Sequence, residues 1–143
     1  MLRAALERAR VDAYGEPLDW PEYVSDHAPE AVEAALFAAE RECGESADLA
    51  RIDCDEPPCI GVFRLAEDDS SAAFRLQSCA PWYERYGASA AISMRTVDCG
   101  GAPIRLLLLS PAWPIELTPS VSEESLDRRL GHRWDLLSES SCQ

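Results

Sequence analysis

Arg51-Ile52-Asp53-Cys54-Asp55-Glu56-Pro57-Pro58-Cys59-Ile60-Gly61-Val62-Phe63 decides the fold, because Thr96-Val97-Asp98-Cys99-Gly100-Gly101-Ala102-Pro103-Ile104-Arg105-Leu106-Leu107-Leu108 echoes it, from position 51 to position 96. In both stretches an Asp-Cys pair ends a β-prone segment, a proline-bearing turn follows, and an apolar run begins, which is the pattern of a hairpin. The flanks correspond too: Ala39-Glu40-Arg41-Glu42-Cys43-Gly44-Glu45-Ser46-Ala47 stands beside Tyr83-Glu84-Arg85-Tyr86-Gly87-Ala88-Ser89-Ala90. The duplicated unit reads as helix, glycine stop, strand, turn, strand.

Working outward, Pro29 suits the first position of a helix, and Val32, Leu36, Ala39 and Cys43 recur on one face before Gly44 ends it. Strands are expected over 49–53 and 59–65, and an acidic loop follows over 66–71. A second helix over 71–79 is broken by Pro81, which opens a further piece over 82–86 that Gly87 closes. The second pair of strands is expected over 90–98 and 104–110, with Cys99 to Pro103 as its turn. The unbroken run Ile104 to Leu109 argues for a central strand covered on both faces. Pro111, Pro114 and Pro119 keep the next segment irregular. Ser122 caps a last helix that places Glu123 and Glu124 in its first turn and Leu126, Leu130, Trp134 and Leu137 along its apolar stripe.

The order α, ββ, α, ββ, α predicts an α+β fold, a four-stranded, mainly antiparallel sheet with helices on one face plus a C-terminal helix, and pseudo-twofold symmetry between the halves. The domain spans 29–138, built from repeats at about 29–65 and 71–110 and the helix at 123–138, with 139–143 as a tail. Ahead of it, 1–28 reads as the helix-prone end of a stalk and a Pro/Trp connector whose Trp20 tucks into the domain.

At 143 residues the chain suits one core. The formal charge of -13 repels phosphate backbones and anionic lipid heads, which makes nucleic acid and direct membrane insertion poor expectations. All 13 basic residues are Arg, so lysine Schiff-base and P-loop chemistry are excluded, and the lack of Asn excludes N-glycosylation. No apolar run is long enough to cross a bilayer, and the charged start is unlike a signal peptide.

Six cysteines exceed ordinary usage. Disulfides are the first explanation. Cys54 and Cys59 bracket a short hairpin turn, where cross-strand separation suits a bridge worth about 2 kcal/mol by chain entropy. Cys99 then takes Cys79, the nearest in sequence, and Cys43 with Cys142 remains by elimination. The second explanation is a metal site of Cys54, Cys59 and Cys99 with His27 or His132, against which the C-x4-C spacing with two internal prolines speaks. The third is thiol catalysis, disfavoured because Cys54 and Cys99 each follow an Asp, which favours the thiol over the thiolate. No catalytic motif is present, and no cofactor is expected. Trp82, Tyr83, Arg85 and Tyr86 form a possible binding surface, set against ordinary packing of aromatics on a short helix. Asp53 and Asp98 either pair across the pseudo-axis or each accept hydrogen bonds from their own turns, the commoner role of Asp.

Gly15-Glu16-Pro17-Leu18-Asp19-Trp20-Pro21, Pro29-Glu30-Ala31-Val32-Glu33-Ala34-Ala35-Leu36 and Ile52-Asp53-Cys54-Asp55-Glu56-Pro57-Pro58-Cys59 together resemble a domain of no assigned activity from GC-rich, predatory or soil-dwelling Gram-negative bacteria. In such chains a membrane anchor and helical stalk commonly precede the domain, so the resemblance implies a periplasmic or envelope location if an anchor lies upstream, and the cytoplasm otherwise. The reading of the whole sequence is a non-catalytic interaction or scaffold domain that binds a protein partner or itself. The alternative is a thiol-redox or metal-binding protein of the cytoplasm.

Overall fold

The computed structural model describes residues 17–21, 25–66 and 71–142, so the expected stalk over 1–13 and the start of the connector lie outside the described residues. Helix α1, Pro29–Cys43, begins after Ala28 in extended conformation, and Pro29 at its start sacrifices no intrahelical hydrogen bond. It ends where the Gly44 N–H donates to the Glu40 carbonyl at 3.0 Å. Strands β1, Ala47–Asp53, and β2, Ile60–Leu65, form the first hairpin. Two short helices follow, α2, Ala72–Gln77, and α3, Ala80–Tyr86, separated as Pro81 requires. The second hairpin is β3, Ala91–Cys99, with β4, Ala102–Ser110. Helix α4, Glu123–Glu139, is capped by Ser122, whose hydroxyl accepts from the Ser125 N–H at 3.1 Å.

The four strands are antiparallel in the order β1-β2-β4-β3, as a twofold between β2 and β4 would arrange them, and the fold is α+β. Helices α1, α2 and α3 cover one face, where Val32, Leu36, Ala39, Leu76 and Trp82 pack on Phe63, Leu107 and Leu109. Helix α4 covers the other, where Leu137, Leu130 and Trp134 meet Ile60, Val62, Leu106 and Leu108. Leu106 to Leu109 are fully buried and alternate between the two cores, which is why β4 reads as an unbroken apolar run. Gly61 permits the close seating of α1 on β2, since a Cβ there would lie 2.6 Å from a methyl of Leu36.

The register departs from the sequence echo. Residues opposite one another share a face, so Val62 with Leu108 lies under α4, and Phe63 with Leu107 lies under the other helices. The echo equates Val62 with Leu107, on opposite faces, because an odd offset inverts every side chain. The difference arises in the turns. The first occupies Cys54 to Cys59, whereas the second is only Gly100-Gly101, and Ala102 and Pro103 already belong to β4. The halves therefore share an order of elements without sharing an exact register.

All six cysteines are in disulfides: Cys43–Cys79, Cys54–Cys59 and Cys99–Cys142. Only the turn bridge matches its sequence expectation. Cys79–Cys99 and Cys43–Cys142 do not form, because the sheet lies between the members of each pair. Cys43 and Cys79 belong to the helical layer above it, whereas Cys99 points to the α4 side with Val97 and meets Cys142 beyond the end of α4. In the chain-entropy model the two long bridges are worth about 4 kcal/mol each. Nor is the C-terminal segment a free tail. Ser140–Cys142 forms a 3-10 turn, to which Arg51 donates at Ser140 Oγ (2.9 Å) and Arg64 at the Ser141 carbonyl (2.8 Å).

Candidate functional site

The possible binding surface divides when folded. Trp82 is fully buried in the helical core, whereas Tyr83 is half exposed and Arg85 points to solvent, as a short amphipathic helix of this spacing demands. Tyr86 is buried, and its hydroxyl donates to the Asp26 carbonyl at 2.7 Å. Burial pushes the Tyr86 phenol up to about 12, and nearby Asp26 adds to the rise while Arg85 opposes it.

Beside Tyr86 the irregular segments flanking the domain converge. The rings of Trp20 and Trp113, Trp113 and His27, and His27 and Tyr86 each meet edge to face at centroid distances of 5.7 Å, and Tyr86 continues to Trp82 at 4.5 Å. This chain of five rings ties the connector and the proline-punctuated segment after β4 to α3, in the edge-on geometry aromatic quadrupoles favour. Trp20 anchors one end by donating its Nε1–H to the Cys54 carbonyl at 2.9 Å, and His27 Nε2 lies 3.2 Å from the Ala112 carbonyl. Where the rings surface they border a shallow cleft of about 340 Å³ lined by His27, Arg85, Tyr86, Ser89, Trp113 and Pro114. Arg85 also borders a second cleft, of about 530 Å³, between α1 and α3, whose walls include Asp26, Ala34, Ala38, Pro81 and Glu84. The surface offers stacking faces, one guanidinium and carboxylates.

The cysteines bring no chemistry to this cleft. Cys54, Cys59 and Cys99 are oxidised and supply no thiolate to a metal, and His27 and His132 lie on different elements, the aromatic chain and α4. Among the described residues no group of three or more His, Cys, Asp or Glu is placed to hold an ion. Asp53 and Asp98 each serve their own turns, accepting from the Asp55 N–H at 3.1 Å and the Gly101 N–H at 2.8 Å.

One constellation escaped the sequence reading. Glu56, buried within the first turn, accepts a two-pronged contact from Arg129 on α4, Nε to Oε2 at 3.1 Å and Nη2 to Oε1 at 3.0 Å, and also the Leu18 N–H at 3.3 Å. One helical turn on, the fully buried Arg133 donates to the Asp53 carbonyl at 3.3 Å and faces its carboxylate at 3.7 Å. The available signal was the matching spacing, Asp53 and Glu56 against Arg129 and Arg133, which lets one helix face address both carboxylates. Each carboxylate faces its own guanidinium, a docking arrangement rather than an acid and base pair. No family model, curated protein or solved structure matches the chain.

Proposed function

We propose that this is a disulfide-stabilised, non-catalytic interaction domain that works outside the cytoplasm at the cell envelope, where it engages a protein partner. The observation that carries the reading is the pairing of all six cysteines, two bridges of which join separate elements across long loops. Such bridges persist in oxidising compartments and are reduced in the cytosol. The resemblance of the Pro/Trp connector and first hairpin to anchored envelope domains supports the same location. The half-exposed aromatic and arginine surface around Arg85 and Trp113 supports recognition as the role.

Intact mass with and without reductant, after alkylation of free thiols and with zinc assayed in the same sample, tests this. Three disulfides without zinc are expected. Six free thiols would overturn the extracytoplasmic reading, and stoichiometric zinc would replace it with a metal-binding protein of the cytoplasm.

A further inference from the structure

The two edges of the sheet are treated differently by the chain. On β1 two outward N–H groups are occupied, that of Ala47 by the Gly44 carbonyl and that of Leu49 by the Glu40 carboxylate at 2.5 Å, and a register shift between Leu49 and Arg51 breaks the line. Side-chain capping and bulging are the devices by which sheet edges are closed to further strands. Among the described residues strand β3 has neither over Ile92 to Thr96. It runs nine residues in continuous register with β4.

Its outward groups follow from the turn. Gly100 and Gly101 both have positive φ, 68° and 90°, so the two-residue turn closes on the hydrogen-bonded pair Cys99 and Ala102. Alternation along the ladder then turns Val97, Arg95 and Ser93 toward β4 and leaves Asp98, Thr96, Met94 and Ile92 with their N–H and C=O groups directed away. Pro103, which has no N–H, lies opposite Asp98, where the ladder asks for none. The Asp98 carbonyl is approached by Cys142 Sγ at 3.7 Å, so the C-terminal turn screens that end. The open stretch is therefore Ile92 to Thr96, centred on Met94, an exposed apolar side chain opposite Leu107 on the face that α1 to α3 cover.

We propose that β3 is a self-association edge, which pairs antiparallel with β3 of a second copy about a twofold axis at Met94 to make a continuous eight-stranded sheet. This inference rests on the interaction reading above and names its surface and partner. In that register Ile92 faces Thr96 of the second copy, Met94 faces its own counterpart, and Arg95 faces Ser93. The alternative axis at Arg95 would set two guanidinium groups against each other. Each copy carries a charge of -13, so association is opposed at low salt and strengthened as salt is added.

Sedimentation of the oxidised, full chain over a range of concentrations and salt tests the proposal. A concentration-dependent dimer that tightens with sodium chloride is expected. Met94→Pro removes only an outward N–H and should weaken the dimer about tenfold or more with the fold intact. Met94→Glu, which leaves the backbone untouched, should do the same by facing two carboxylates at the axis. A protein that stays monomeric at high concentration and high salt would overturn the proposal, as would a dimer indifferent to both variants. Neither result touches the disulfide count on which the envelope reading depends.

Discussion

In the β1–β2 hairpin the turn residues Glu56, Pro57, Pro58 and Cys59 are all buried, whereas Gly100, Gly101, Ala102 and Pro103 at the tip of β3–β4 are all exposed. Both hairpins enter through an Asp-Cys pair, yet the first becomes the seat on which α4 docks and the second projects into solvent. The difference lies in what each turn must satisfy. A buried turn takes its polar groups out of water, and here Arg129, Arg133 and the Leu18 N–H replace the solvent. An exposed turn needs only backbone freedom, which two glycines supply. The same contrast holds at the edges, where β1 is capped and bulged and β3, among the described residues, is left open.

Removing the seat should break the comparison most severely. Arg133→Ala leaves Asp53 buried opposite an apolar side chain, and urea denaturation should show a loss of about 3–5 kcal/mol. Asp98→Ala at the exposed tip should cost about 1 kcal/mol or less. Equal losses at the two sites would refute the idea that only the first turn is a docking point. Next in size, Cys54→Ala with Cys59→Ala should lower stability by about 2 kcal/mol in the same measurement, because the bridge closes so short a loop. A loss as large as that at Arg133 would instead show the bridge holding α4 in place. Third, Gly100→Ala forces a side chain into left-handed backbone and should cost about 1–2 kcal/mol, seen as a lower thermal midpoint, although a Cβ there meets nothing within 4 Å. The last effect lies outside both hairpins. Between pH 10 and about 12 folded Tyr86 keeps a proton that the unfolded chain has released, so stability falls as pH rises through that window. Ultraviolet titration should find a late phenol that is absent in Tyr86→Phe.

Much of the architecture was legible because it is carried by local signals. Pro29 and Gly44 bound α1, Pro81 separates α2 from α3, and the leucine run of β4 announced burial on two faces. What escaped was set by the third dimension. Which face α4 would cover decided whether Cys142 could reach Cys99, and sequence proximity pointed instead to Cys79. The shortness of the Gly100-Gly101 turn moved the start of β4 to Ala102 and altered the parity of the second hairpin, so an echo that looks like duplication places its matched residues on opposite faces. At the candidate surface Arg85 was recognisable from α3 alone. Trp113 and His27 were not, since only the converging segments bring them beside Tyr86.

The three bridges never interleave: Cys43–Cys79 encloses Cys54–Cys59, and Cys99–Cys142 lies wholly downstream. A chain delivered from its N-terminus can thus oxidise in the order in which it arrives. The turn bridge can close first, the helical layer can be fastened when Cys79 appears, and the last bond waits for Cys142. No earlier bond has to be undone for a later one to form, so maturation has little need of the slow reshuffling that interleaved connectivities impose.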